Sequence, residues 1–146
     1  TRGLRLRLAD DVIALKPKAV NLLIGTNDLA LGASPEVVAE NIRAIVAELH
    51  RANPEMPVIV NKIMPRGAEP GKFPGHIQKV NALLEEAFAA DRKVTICDTW
   101  GIFADEQGAS KKEEFPDMLH PNAAGYAKWK ATLQPILEKL TLTKNP

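Results

Sequence analysis

An acidic and a basic side chain stand three residues apart near the end of the chain, in Asp117-Met-Leu-His120-Pro121. A carboxylate held at that spacing can accept a hydrogen bond from one imidazole nitrogen, which leaves the other nitrogen free to take a proton from a nucleophile. Pro121 disfavours helical backbone at His120, so the ring is expected just ahead of the last helix. The pair predicts the acid and base of a hydrolase triad. The alternative is a contact between Asp117 and His120 that only stabilises the helix start.

A nucleophile to complete that triad is missing from the expected place. An activated Ser, Cys or Thr should lie in a Gly-flanked turn after a strand, and this sequence has none there. Ser34 is predicted to cap a helix, and Ser110 lies in a polar loop. Cys97, the single cysteine, lies in an apolar run and is expected to be a buried thiol without a disulfide partner.

A turn of sequence Gly-Thr-Asn-Asp, residues 25–28, follows the first predicted strand. Its glycine allows a tight turn that lifts Asn27 above the sheet. An Asn carboxamide aimed into a dry cleft is a good hydrogen-bond donor to a developing oxyanion. Asn27 and Asp28 could instead only cap a turn or the next helix, as such residues often do. Together with the acid and base near residue 120, the pattern favours an oxyanion donor at Asn27.

The remaining polar residues point to no other chemistry. His50 ends a predicted helix and His76 begins one, so both are expected at the surface. The carboxylate pairs Glu85-Glu86 and Glu113-Glu114 are interpreted as solvated faces. No cluster has metal-ligand spacing and no Gly-rich phosphate loop follows a strand, so no metal or organic cofactor is expected.

Length and charge limit the function classes. The chain has 146 residues, 45% hydrophobic and 25% charged, which is typical of one globular domain. Its net charge of +1 is spread without blocks, so the sequence does not indicate a nucleic-acid or anionic-membrane partner. No stretch approaches the roughly 18 to 20 continuous apolar residues of a membrane span. A small-molecule substrate fits this composition.

Hydrophobic periodicity predicts helices and strands in alternation. The predicted elements are helix 2–15, strand 19–24, helix 34–51, strand 58–64, a non-regular loop 65–74, a helical face 77–88, strand 93–98, a connection 99–120 with a short helix, and helix 122–140, kinked or divided at Pro135. This order implies right-handed crossovers and a parallel sheet covered on both faces. Because ligands lie beyond the carboxyl ends of such strands, residues 25–28 and the 99–120 connection should meet at one rim.

The motifs IGTND after a buried strand and DMLHPNAAGY before the final helix resemble the third and fifth sequence blocks of the SGNH (GDSL-type) hydrolases. The segment NIRAIVAELHRANP, a strand and then Pro65-Arg66-Gly67 are similar to the branch containing the catalytic subunits of intracellular platelet-activating-factor acetylhydrolase. The resemblance implies a flavodoxin-like three-layer α/β/α fold with a parallel sheet, a Ser-His-Asp triad, and an oxyanion hole formed by a Ser amide, a Gly amide and an Asn side chain. By position, His120 matches the base, Asp117 the acid and Asn27 the oxyanion residue.

One departure from that family is large. The first block, Gly-Asp-Ser, and the second-block Gly have no counterpart. Residues 1–146 are therefore expected to be a single SGNH-hydrolase-like α/β domain that forms the C-terminal portion of a larger one. In such folds strand 19–24 pairs with the first strand of the domain, and an apolar strand with a bare edge invites aggregation. We expect a preceding segment of the same gene product to complete the sheet and to supply the Ser.

Taken together, these patterns predict a serine esterase that releases short acyl groups, with acetyl favoured, from a lipid or a carbohydrate. Two alternatives remain open at this point. One is a non-catalytic interaction module that keeps the fold without its nucleophile. The other is a flavodoxin-like nucleotide binder using residues 25–28, which is disfavoured because phosphate contacts usually need more glycine. Relatives in the similar branch form dimers, which makes a homodimer a candidate assembly.

Overall fold

The computed structural model describes residues 1–67 and 72–142. Its elements in chain order are α1 (Arg2–Asp11), a 3-10 turn (Ile13–Leu15), β1 (Val20–Leu22), α2 (Thr26–Ala30), α3 (Pro35–Ala52), β2 (Val58–Asn61), α4 (Lys72–Phe88), β3 (Val94–Cys97), α5 (Thr99–Phe103) and α6 (Ala123–Leu142). The predicted alternation of helices and strands is confirmed, and the short helix α2 is an addition that the sequence pattern did not indicate.

The three strands form one parallel sheet in the order β1-β2-β3. Val58 of β2 pairs with Val20 on one side and with Val94 on the other. All four residues of β2 are buried, which suits a central strand covered on both faces. The predicted α/β class with a parallel sheet is confirmed, and the carboxyl ends of the strands share one rim.

Helix α3 forms because its start is capped and its apolar residues recur on one face. Ser34 accepts a hydrogen bond from the backbone nitrogen of Val37, and Pro35 takes the first helical position. The buried face packs against the sheet and α4, and its residues are Val38, Ile42, Ile45, Val46 and Leu49. A second cluster, Met64, Phe103 and Phe115, lies below the loop that carries His120, where the two phenylalanine rings meet edge to face.

Three sequence predictions need correction. Strand β2 ends at Asn61 rather than at 64, because the side chain of Asn81 takes both backbone groups of Ile63: its Oδ1 accepts from Ile63 N at 2.7 Å and its Nδ2 donates to Ile63 O at 3.1 Å. The predicted loop 65–74 is interrupted by α4, which begins at Lys72, while 68–71 lies outside the described residues. Pro135 does not divide α6, because the helix continues through it from Ala123 to Leu142; a kink at this residue stays a prediction.

Strand β1 is an edge of the sheet that the described residues form. Beside it, the exposed Asn21 and one side of α6 line a mostly apolar groove that includes Tyr126, Trp129, Leu133 and Leu137. The preceding segment expected to pair with this strand stays a prediction. None of the helices in the described part of the chain has the length and apolar character needed to cross a bilayer.

Candidate active site

The Asp117 and His120 side chains are in direct contact. Asp117 Oδ2 lies 2.6 Å from His120 Nδ1. The other carboxylate oxygen, Oδ1, accepts hydrogen bonds from the backbone nitrogens of Leu119 at 3.0 Å and His120 at 2.7 Å. Met118 adopts the left-handed conformation, with φ of 62°, which lets the chain fold back within three residues. The predicted contact between acid and base is thus confirmed.

These hydrogen bonds favour the ionised form of the Asp117 carboxyl group. The backbone N–H of His120, then its ring, then the backbone N–H of Leu119 stabilise the ionised carboxylate, and they lower the pKa of Asp117 to about 2. An ionised carboxylate can only accept hydrogen bonds, so His120 Nδ1 carries the proton in this contact. With the proton held on Nδ1, Nε2 is the ring nitrogen that can act as a base.

Asn27 is the second residue of α2, so the predicted tight turn is in fact the start of a short helix. Its neighbour Asp28 accepts a hydrogen bond from the Thr1 hydroxyl at 2.8 Å. This contact ties α2 to the start of α1 and engages Asp28 away from the cleft. Asn27 itself is exposed and lines the cleft.

The two predicted loops do meet in one cavity of about 220 Å³. One wall carries Asn27 and the other carries His120, whose side chain is 76% exposed. The remaining wall residues are mostly apolar, among them Leu23, Ile24, Ile63, Met64, Pro65, Leu119, Pro121, Tyr126 and Trp129. The expected convergence at the carboxyl rim of the sheet is confirmed.

The position of α2 depends on Gly25, whose φ is 121°. A Cβ there would lie 2.7 Å from Ile63 Cδ1 and 2.8 Å from Val38 Cγ1. We expect Gly25→Ala to lower the free energy of unfolding by about 2 to 4 kcal/mol, because it adds backbone strain to overpacking. Urea denaturation measures this loss. Gly32→Ala is the control, since its φ is also positive but no atom lies within 4 Å. An equal loss in both variants would contradict the packing argument.

Within residues 1–67 and 72–142, no hydroxyl is hydrogen-bonded to the His120 ring. Ser34 caps α3, as predicted, and Ser110 is buried with its Oγ donating to Met118 O at 3.2 Å. Thr26, which the sequence analysis overlooked, lines the cavity, and its buried hydroxyl oxygen has no hydrogen-bond partner among the described residues. It is therefore not bonded to His120. Cys97 is buried as predicted, and burial, with the neighbouring Asp98 charge, raises the pKa of its thiol.

Two surface predictions were wrong. His50 is largely covered, with its side chain 19% exposed, and its Nε2 lies 3.1 Å from Met56 O. Its ring also lies 3.7 Å from Asp91, in the turn that follows α4. His76 is half-buried. Glu114, expected to be solvated, is also half-buried and pairs with Lys128 at 2.8 Å.

Comparison with known proteins shows which family this chain belongs to. The profile of the GDSL-like lipase/acylhydrolase family matches residues 1–128. The chain belongs to that family. Among curated relatives, the platelet-activating factor acetylhydrolase IB subunits alpha2 of Homo sapiens and Bos taurus are each 33% identical over 126 residues, which cover 86% of this chain and 54% of the relative. The chain thus spans about half the length of the curated relatives it matches.

Solved structures agree on the fold. A GDSL-like lipase from Bacteroides thetaiotaomicron superposes with a TM-score of 0.81 at 29% identity, covering 92% of this chain and 68% of that one. A carbohydrate esterase family 3 protein from Talaromyces cellulolyticus gives a TM-score of 0.70 at 23% identity, covering 95% and 68%. The second likeness shows a shared fold.

Proposed function

We propose that this protein is a serine esterase that hydrolyses short-chain esters, with acetyl as the acyl group, of a lipid or a carbohydrate. The observation that supports it most is that a bonded Asp117–His120 pair and the Asn27 side chain border one cavity at the carboxyl rim of a parallel sheet. Membership of the acylhydrolase family supports the same reaction class.

In the proposed mechanism a serine Oγ attacks the ester carbonyl carbon while His120 Nε2 removes its proton. Asp117 keeps Nδ1–H in place and stabilises the imidazolium that forms. Asn27 donates from its carboxamide to the oxyanion of the tetrahedral intermediate. The imidazolium then protonates the leaving alkoxide, and water releases the acyl group from serine by the same route, with His120 again acting as base.

The serine is proposed to come from a segment that precedes Thr1 in the same gene product. Two features support that placement. The edge of β1 offers unpaired backbone groups to another strand, and the apolar groove between Asn21 and α6 offers a surface for it to cover. A strand paired with β1 would also end at the rim where His120 and Asn27 lie, because parallel strands share their carboxyl ends.

A short acyl group is supported by the lining of the cavity. The walls near His120 are apolar, with Leu119 and Pro121 on either side of the ring in sequence, which suits a methyl group better than a charged one. The related human protein is named as an acetylhydrolase, which also favours acetyl esters.

The test uses the complete gene product that contains this chain, called the complete protein below. We expect it to hydrolyse p-nitrophenyl acetate faster than the butyrate and octanoate esters. A fluorophosphonate probe should label one serine upstream of Thr1, located by peptide mass spectrometry. Absence of both labelling and turnover in the complete protein would leave a non-catalytic module and would contradict the proposal.

Asn27→Ala in the complete protein should lower kcat by about 10²- to 10³-fold, because it removes one oxyanion donor. KM for p-nitrophenyl acetate should change little, since the oxyanion exists only after attack. Asn53→Ala is the matched control: that side chain accepts from Glu55 N at 3.1 Å in the turn after α3, outside the cavity. A full rate in Asn27→Ala would remove Asn27 from the oxyanion hole.

A further inference from the structure

The carbonyl of Met118, in the turn between Asp117 and His120, is held from outside that turn. It accepts a hydrogen bond from the backbone nitrogen of Gly67 at 3.0 Å and another from Ser110 Oγ at 3.2 Å. Gly67 is distant in sequence, whereas Ser110 lies eight residues before Met118. The turn that carries the acid and the base is therefore anchored at its middle residue.

Ser110 is itself fixed in place. Its backbone nitrogen donates to Gly67 O at 3.1 Å, and it forms an isolated antiparallel bridge with Ala104. The residue is 4% exposed. Gly67, Ser110 and Met118 thus meet in one hydrogen-bonded junction at the turn that carries the Asp117–His120 pair.

The junction matters because few neighbouring side chains pack against Asp117 and His120. The His120 and Asp117 side chains are 76% and 57% exposed, so packing alone does not fix them. Their alignment depends on Met118 staying left-handed, a conformation that a non-glycine residue rarely adopts without support. In that conformation the N–H groups of Leu119 and His120 both point at Asp117 Oδ1. If the Met118 carbonyl lost its hydrogen bonds, the backbone of the turn could move, and the Asp117 and His120 side chains would lose their alignment.

The same junction reaches the other wall of the cavity. Arg66 Nη1 lies 3.4 Å from the carbonyl oxygen of Thr26, the first residue of α2. Residues 65–67 therefore contact both the helix that carries Asn27 and the turn that carries His120. A shift of this segment would change the spacing between the proposed base and the proposed oxyanion donor.

We propose that Ser110 is a positioning residue for ester hydrolysis, whose hydroxyl holds the Met118 carbonyl so that the His120 ring stays aligned with Asp117. The inference rests on the proposed function, because positioning has a kinetic meaning only if His120 is the base. The hydroxyl acts through the backbone and does not touch the substrate.

The test compares Ser110→Ala with Ser34→Ala in the complete protein. Ser34→Ala also removes one hydroxyl hydrogen bond, at the start of α3, where the partner is the backbone nitrogen of Val37. We expect Ser110→Ala to lower kcat for p-nitrophenyl acetate about tenfold with KM unchanged, since one neutral hydrogen bond that orients the base is lost. Ser34→Ala should leave kcat unchanged, even if it lowers Tm.

A spectroscopic measurement separates positioning from general loss of stability. Long-range ¹H–¹⁵N NMR of the His120 ring reports which nitrogen carries the proton. In the wild type Nδ1 should be protonated, and in Ser110→Ala the population with the proton on Nε2 should rise. Ser34→Ala should match the wild type.

The possible outcomes are distinct. A lower kcat together with the tautomer change supports the proposal. Unchanged kcat and unchanged tautomer in Ser110→Ala, in a protein that does hydrolyse esters, overturn the positioning role and leave the proposed function intact. A fall in kcat without a tautomer change also overturns it. If the wild type shows no labelling and no turnover, the proposed function fails, and the positioning role of Ser110 in ester hydrolysis fails with it.

Discussion

His120→Ala should lower kcat of the complete protein for p-nitrophenyl acetate by about 10⁴- to 10⁶-fold, because the nucleophile loses its base. Tm should stay close to the wild-type value, because the His120 side chain is 76% exposed and its ring contact is with another exposed residue. Steady-state kinetics and a thermal melt measure the two effects.

His50→Ala is the matched control for this variant. The His50 ring also lies beside a carboxylate, Asp91 at 3.7 Å, but at the opposite end of the sheet, and it is largely covered. We expect the reverse pattern there, with turnover kept and Tm lowered. Normal turnover in His120→Ala would remove His120 from the role of base.

Asp117→Asn should lower kcat by about 10⁴-fold while leaving the turn in place. The amide oxygen can still accept from the backbone nitrogens of Leu119 and His120, but the amide NH₂ would face Nδ1 as a donor and favour the wrong ring tautomer. Asp91→Asn is the control, because that carboxylate also accepts a backbone hydrogen bond, from Lys93, and lies near His50. Equal kcat in Asp117→Asn and the wild type would contradict the assigned role of Asp117.

The lowered pKa of Asp117, about 2 against an ordinary 3.8, adds a pH prediction. A depressed carboxyl pKa means that the contact with His120 is at full strength above about pH 4 and weakens only as the pH falls toward 2. Asp117 therefore stays ionised over the working range of an esterase. On its acidic side, the logarithm of wild-type kcat/KM should fall with a slope of one, because only one group becomes protonated there. A slope of two, which requires two protons, would contradict this.

Much of the site was predictable because it depends on the spacing of neighbouring residues and on the direction of the strands. The three-residue spacing from Asp117 to His120 predicted that a carboxylate and a ring would meet in a turn, and they do. The meeting of Asn27 with His120 follows from parallel strands, whose carboxyl ends share a rim. The alternation of helices and strands was predicted from apolar periodicity. Helix α3 was predicted from its capped start at Ser34-Pro35.

The features that the sequence did not reveal depend on contacts of single side chains. Asn81 ends β2 early by bonding Ile63, 18 residues away in sequence. Ser110 holds Met118 through a loop that has no periodic pattern. His50 is partly covered where its ring meets Met56 and Asp91, which lie outside the helices and strands. None of these contacts leaves a repeating signal in composition or hydropathy.

The central claim is that Asn27 and His120 face one reacting serine across the same cavity. A crystal structure of the complete protein after reaction with a fluorophosphonate tests this most directly. We expect a phosphonyl group on a serine upstream of Thr1, with its oxygen about 3 Å from Asn27 Nδ2 and His120 Nε2 within about 3.2 Å of the serine oxygen. An adduct whose oxygen lies away from Asn27, or with the His120 ring turned away from the serine, would contradict it.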